Sequence, residues 1–265
     1  MIQSSPLLIA QVSDTHLFAD VDQKLMGLPT FASFQETLTR LSQLRPRPER
    51  LLLTGDLSQD ESAESYAQLQ ALLVPLEIPT YWLPGNHDSF SQMQTVLTQP
   101  PILSDKFFQA EGWQFLLLNS RVPGKVQGEL SLESLEWLDD QLQLTAATPT
   151  LIGLHHPPLL VGSKWLDTSA LQNPENFFAV IDRYPQVKLV IFGHIHQEFE
   201  CQRRGVYYLS APSTCIQFAP HSQDFSLDRA QPGFRLFALY PDGRFETKVE
   251  RVNFSYQLDL SVRGY

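Results

Sequence analysis

Five times along this chain a short run rich in Leu, Ile or Val stops abruptly at a cluster of Asp, Asn or His. Leu7 to Val12 leads into Asp14-Thr15-His16, Leu51 to Leu53 into Gly55-Asp56, and Thr80 to Leu83 into Pro84-Gly85-Asn86-His87-Asp88. Leu151 to Leu154 leads into His155-His156, and Lys188 to Phe192 into Gly193-His194-Ile195-His196. Nearly continuous apolar runs such as Leu7 to Val12 are the pattern of strands covered on both faces. Amphipathic stretches alternate with them. Thr30 is predicted to cap a helix with the apolar face Phe31, Phe34, Leu38 and Leu41, and helices are predicted over Asp60 to Leu73, Phe90 to Leu97, Ser131 to Leu144 (capped by Ser131) and Pro174 to Tyr184. This β-α alternation predicts an α/β fold. Phe115 to Asn119 reads as a further strand. After residue 206 the chain changes character, with strands at Val206 to Ser210, Phe234 to Tyr240 and Phe245 to Val252, so segment 206–265 is predicted to complete a single 1–265 domain.

At 265 residues with 43% hydrophobic content, the chain can fill a sizeable core. A formal net charge of −10 argues against nucleic acid as a partner, because such binders concentrate Lys and Arg. No apolar run approaches the length of a membrane span, and no secretory leader is visible, so no membrane partner and a cytoplasmic location are expected. The two cysteines, Cys201 and Cys215, are accordingly expected to be reduced thiols.

The strand-end polar residues Asp14, His16, Asp56, Asn86, His155, His194 and His196 form a nitrogen-and-oxygen ligand set without thiolate, suited to iron, manganese or zinc. They divide into two sets if Asp56 is shared: Asp14, His16, Asp56 and His196 around one ion, and Asp56, Asn86, His155 and His194 around the other. Two ions about 3.5–4 Å apart clamp the attacking and leaving oxygens of a phosphoryl displacement. Their four positive charges exceed the two negative ones of Asp14 and Asp56, leaving a centre suited to an anion inside an acidic protein. Period two in an extended segment is expected to put Asp14 and His16 on one side, and to turn His87 away from Asn86. There His87 can hydrogen-bond a phosphate oxygen or protonate the leaving group, with Asp88 orienting it or anchoring the turn. His156 is read as a packed or surface residue and His221 as solvated. Phe18, Phe90 and Trp165 are aromatic candidates to line a pocket, although each reads first as core.

Asp14-x-His16, Gly55-Asp56, Gly85-Asn86-His87-Asp88, His155 and Gly193-His194-x-His196 together resemble the ordered signature of the calcineurin-like metallophosphoesterases. The resemblance implies a four-layer α-β-β-α sandwich with a dimetal site at the strand ends. Gln11 to Phe18, Thr54 to Asp60, Gly193 to Gln197 and Pro212 to Phe218 resemble more closely the bacterial class III 3′,5′-cyclic AMP phosphodiesterases. That likeness implies hydrolysis of cyclic AMP to 5′-AMP by a dimetal-activated hydroxide. It assigns His87 and Asp56 to catalysis, and His16, Asp56, Asn86, His87 and His196 to the substrate phosphate. It also implies two divalent ions per chain, Fe2+ or Mn2+ foremost and Zn2+ as a third option. The alternatives weighed are a broader phosphodiesterase or phosphatase acting on other nucleotides or glycerophosphodiesters, and a non-catalytic interaction module.

Overall fold

A computed structural model describes residues 5–145, 147–262 and 264. Both ends of the expected 1–265 span, and positions 146 and 263, lie outside the described residues. The strands that build the sheets are, in chain order, β1 (Leu7–Val12), β2 (Arg50–Leu53), β3 (Thr80–Trp82), β4 (Ile102–Leu103), β5 (Phe107–Ala110) and β6 (Trp113–Leu117). They continue with β7 (Thr150–Gly153), β8 (Val187–Phe192), β9 (Phe199–Arg203), β10 (Val206–Ser210), β11 (Gly233–Leu239) and β12 (Phe245–Arg251). Two six-stranded sheets result, in the orders β12-β11-β1-β2-β3-β4 and β9-β10-β8-β7-β6-β5. The strands that deliver polar clusters run parallel within each sheet, Val12 beside Leu53 and Leu53 beside Trp82 in the first, Ile191 beside Gly153 in the second.

Pleating sorts the side chains into layers. Leu7, Ile9, Leu52, Leu83, Phe115, Leu117, Leu151, Leu189 and Ile191 interdigitate between the sheets. Their strand neighbours Ala10, Val12, Leu51 and Leu53 face outward onto helices α1 (Thr30–Gln43) and α2 (Ala63–Leu73) through Phe34, Leu38, Leu41, Leu69 and Leu73. On the opposite outer face, Ile152, Val190 and Phe192 meet α3 (Leu132–Leu144) and α4 (Pro174–Ile181) through Leu138, Leu142, Phe177 and Ile181. This is the four-layer α-β-β-α sandwich. Buried Arg235 on β11 joins the two sheets, its Nε donating to Ser210 O at 2.9 Å and a guanidinium N–H to Phe199 O at 3.2 Å.

Several boundaries differ from the sequence-based expectation. Thr30 is the first helical residue and not the cap, because a short hairpin, Lys24–Leu25 with Leu28–Pro29, runs straight into α1 with Pro29 at φ −73°. The helix expected from Asp60 begins at Ala63. The Asp60 carboxylate instead accepts from Ser62 N at 3.1 Å and Ala19 N at 2.7 Å, and Ser62 Oγ caps Ser65 N at 3.1 Å. The strands after residue 206 divide between the sheets: β10 lies parallel to β8, while β11 extends the first sheet antiparallel to β1 and β12 pairs antiparallel with β11 at its edge. Cys201 and Cys215 are free thiols.

Leu52 is 1% exposed between the sheets and Leu160 is 72% exposed. Leu52→Ala is therefore expected to lower unfolding free energy by about 2–5 kcal/mol, and Leu160→Ala by no more than about 0.5 kcal/mol, as read from urea midpoints of metal-free protein.

Candidate metal centre

Loops leaving the carboxyl ends of β1, β2, β3, β7 and β8 meet over the seam between the sheets, the end at which parallel α/β sheets hold ligands. The backbone here is not the extended chain that a period of two assumes. Asp14 (φ +56°), His16 (+47°), Asp56 (+50°), His194 (+70°) and His196 (+48°) are all left-handed. Such a conformation costs a residue with a Cβ of the order of 1–3 kcal/mol and persists only where the surroundings over-determine it. A ladder does so here, with Asp14 N bonding Gly55 O, His16 N bonding Asp56 O and Leu17 N bonding Leu57 O at 3.0–3.1 Å. Asp14 and His16 thus converge through alternate left-handed residues.

On one side of the centre, His16 Nε2 and His196 Nε2 lie 3.0 Å apart, with Asp14 Oδ1 3.6 Å from His196 Nε2 and Asp56 Oδ2 3.9 Å from His16 Nε2. On the other, His155 Nε2 lies 3.1 Å from Asp56 Oδ2 and 3.2 Å from Asn86 Oδ1, which is 3.0 Å from His194 Nδ1. All seven sequence-predicted donors are brought together, and Asp56 Oδ2 faces both groups. The far ring nitrogens of the histidines are engaged by Gln59 Oε1 (His16, 2.6 Å), Ile216 O (His196, 2.9 Å), Thr54 O (His155, 2.8 Å) and Ser169 Oγ (His194, 2.8 Å). A ring N–H donated to each of the two carbonyls and to the amide oxygen leaves the inward nitrogen of His16 and His196 to carry a lone pair, and that of His155 as well once its second proton is displaced.

These residues fit a pair of metal ions. Lone pairs of His16 and His196 point at each other at 3.0 Å, and Asp14 Oδ2 is buried with no hydrogen-bond partner among the described residues. Groups of three such donors, Asp14-His16-His196 and Asp14-Asp56-His155, each lie within 4.8 Å of one another. Burial drives His16 and His194 down to about 3, keeping them neutral, and pushes the Asp14 carboxyl up to about 7. Burial also works upward on Asp56, but His155 and then His87 hold it well below the usual carboxylate range. For His155 burial works downward, and Asp56 overrides it, raising the imidazole to about 9. In the metal-free chain a proton on His155 thus does part of the neutralising that a cation would do.

Asn86 and His87 occupy a turn, so His87 does not face away as an extended segment would require. Its backbone N–H donates to Asp56 Oδ1 at 2.8 Å, and its half-buried ring stands edge-on to His16 at 5.2 Å. Asp88 anchors the turn, accepting from Gly85 N, Leu57 N, Ser58 N and Tyr66 OH at 2.9–3.1 Å. The turn can press so closely only because residue 85 is glycine; a Cβ there would land on the Asp56 carboxylate. His156 is buried, with Nε2 donating to Val126 O at 3.0 Å and Nδ1 paired with Ser120 Oγ at 2.8 Å, so no lone pair remains for a metal and the packed reading stands over the surface one. His221 is exposed. Phe18 is buried and Phe90 packs edge-on against Trp82 at 6.0 Å, as core residues do. Trp165 packs on Phe218, which stacks on His196 at 4.3 Å, so this wall adjoins the centre. The sequence reading missed Gln59 and Ser169. Gln59 stands three residues after Asp56 and was open to the same scrutiny, whereas Ser169 lies far from every motif.

The chain belongs to the calcineurin-like phosphoesterases, matching that family over residues 7–198. It is 51% identical over 262 residues to a 3′,5′-cyclic-nucleotide phosphodiesterase of Nostoc sp., covering 99% of this chain and 98% of that protein. It is 39% identical over 260 residues to the 3′,5′-cyclic adenosine monophosphate phosphodiesterase CpdA of Pseudomonas aeruginosa, covering 98% of this chain and 95% of that one. In fold alone it is similar to a dimetal phosphatase from Danio rerio, with a TM-score of 0.71 at 15% identity over 96% of this chain and 98% of that one.

Metal must displace the proton of His155, raised to about 9, so metal affinity is expected to rise with pH and level off as pH passes that value. Titrating metal-free protein with Mn2+ in weak buffer should release at least one proton per chain at neutral pH. Gly85→Ala should leave the far-ultraviolet circular dichroism unchanged and lower the Mn2+ bound at a fixed free concentration, as equilibrium dialysis measures.

Proposed function

We propose that the protein hydrolyses 3′,5′-cyclic AMP to 5′-AMP, using two divalent ions held by Asp14, His16, Asp56 and His196 on one side and by Asp56, Asn86, His155 and His194 on the other. The observation that carries this reading is the paired donor set facing Asp56 Oδ2 from both sides, in a chain nearly co-extensive with relatives named as cyclic-nucleotide phosphodiesterases. When bound, the ions supply Lewis acidity and lower the pKa of water to roughly 7, making a nucleophile available at neutral pH. Imidazole and carboxylate donors suit Fe2+ or Mn2+, with Zn2+ as a third option.

The chain's own residues do the rest. Asp56 faces both groups, and accepting from His87 N fixes its other oxygen and so its orientation. Asn86 is a neutral donor and leaves positive charge for the phosphate. His16, Asp56, Asn86, His87 and His196 line the side on which the phosphate is received. Water oxygen forms a bond to phosphorus, the bond from phosphorus to the ribose 3′-oxygen breaks, and that oxygen leaves with a proton while His87, at the rim, hydrogen-bonds the departing group. Overall, one water is consumed and one 5′-AMP is formed. Among the described residues no helix is long and apolar enough to cross a membrane. We place the enzyme in the cytoplasm as one domain over 1–265, a location supported by its free thiols.

Metal-quantified protein offered cyclic AMP, cyclic GMP and bis-p-nitrophenyl phosphate should prefer cyclic AMP and give 5′-AMP as sole product; turnover of the generic diester alone would refute the assignment. Asp56→Ala should abolish turnover and reduce bound metal. His87→Ala should keep both ions and lose roughly 10²–10⁴-fold in kcat, the range of positioned proton donors.

A further inference from the structure

The structure assigns to Gln59 the positioning of two histidines at once. The inference rests on the metal-ligand reading of His16 given above. Gln59 is held by its backbone, where Gln59 N donates to Leu17 O at 2.8 Å and a parallel bridge pairs Leu17 with Ser58. From this fixed place its side-chain amide reaches His16 with one end and His87 with the other, Oε1 lying 2.6 Å from His16 Nδ1 and Nε2 lying 3.4 Å from His87 Nδ1.

The direction of both hydrogen bonds follows from the chemistry of the centre. His16 presents Nε2 to His196 and Asp56, so a ligating His16 carries its proton on Nδ1. The atom of Gln59 facing that N–H is then an acceptor, the amide oxygen, and the other end of the same planar group is the NH2. The NH2 can only donate, so His87 Nδ1 accepts and the His87 proton sits on Nε2. One amide thereby makes His16 a metal ligand and makes His87 a hydrogen-bond donor at the end of the ring away from Gln59, where a phosphoryl or leaving oxygen is met.

A carboxylate at this position cannot do both tasks. It would still accept from His16 Nδ1–H, but it would present an acceptor to His87 as well and favour the tautomer with the single ring proton on Nδ1, leaving Nε2 without one. An alkyl group would satisfy neither ring. Gln59→Glu and Gln59→Leu therefore separate the two roles.

The test combines metal analysis, steady-state kinetics and ¹⁵N NMR of the histidine rings in Zn2+-loaded protein. Wild type should show His87 with a bare Nδ1 and a protonated Nε2. Q59E should retain two zinc ions, move the His87 ring proton from Nε2 to Nδ1, and lose roughly 10–100-fold in kcat with KM little changed. Q59L should lose the tautomer preference and also bind zinc roughly 10–100-fold more weakly, the usual scale for partners that orient metal ligands. An unchanged His87 ring signature in Q59E would overturn the proposal, and so would equal loss of zinc from both variants, which would reduce Gln59 to a prop for His16. If wild type fails to hydrolyse cyclic AMP, the substrate reading falls, while a Q59E shift of the His87 proton still supports the role of Gln59.

Discussion

Electron pairs crowded into a dry place are the constraint on which this molecule depends. Two carboxylates, an amide oxygen and four imidazoles point at one another where Asp14, His16, His155 and His196 are wholly buried. Burying such groups without a counter-charge is costly, and removing a partner from a buried charge costs more than the pair contributes. The sandwich supplies what holds them there. Five strands in two sheets end at one level, so residues distant in sequence, such as Asp14 and His194, join through a 3.0 Å bond between a carboxylate and a backbone N–H. The Asp56–His155 contact at 3.1 Å shows the balance without metal: the carboxyl is held low and the imidazole high because each compensates the other.

The convergence also depends on strain that the fold absorbs. Five of the seven donors sit at positive φ, a conformation that unfolded segments of this composition would avoid. Backbone bonds pin three of them, the Asp14 and His16 amides on the chain around Asp56 and the His194 amide on Asp14, and the Asn86 turn is held by the four donors that Asp88 gathers. Asp88 contributes no ligand, yet its carboxylate, raised to about 6 by burial and by nearby Asp56, ties the loop after β2 to the turn after β3. Donor positions are thus set by backbone hydrogen bonds from the rigid layers beneath, as preorganised sites require.

Much of this was legible in the sequence, and the reasons are particular. Leu7 to Val12 and Lys188 to Phe192 are apolar enough to declare buried parallel strands, and Asp14 and His194 follow them directly, so strand ends and donors could be read together. The edge strand Phe199–Arg203 was not legible, because its half-exposed residues carry Glu200, Gln202 and Arg203 and leave no apolar run. The orientation of His87 was misjudged because the pleat was extended past the end of β3, into a turn whose geometry only Gly85 announces. Thr30 was misjudged because Pro29 does without a side-chain cap. The carbonyls of Thr54 and Ile216, which set two imidazole tautomers, belong to backbone and leave no sequence signal at all.

The central claim is that two ions share Asp56. Anomalous diffraction from crystals of the Mn2+-loaded protein tests it most directly. The account predicts two manganese peaks per chain with Asp56 Oδ2 between them, one beside His16 and His196, the other beside Asn86, His155 and His194. A single peak, or two peaks with Asp56 touching only one, would contradict it.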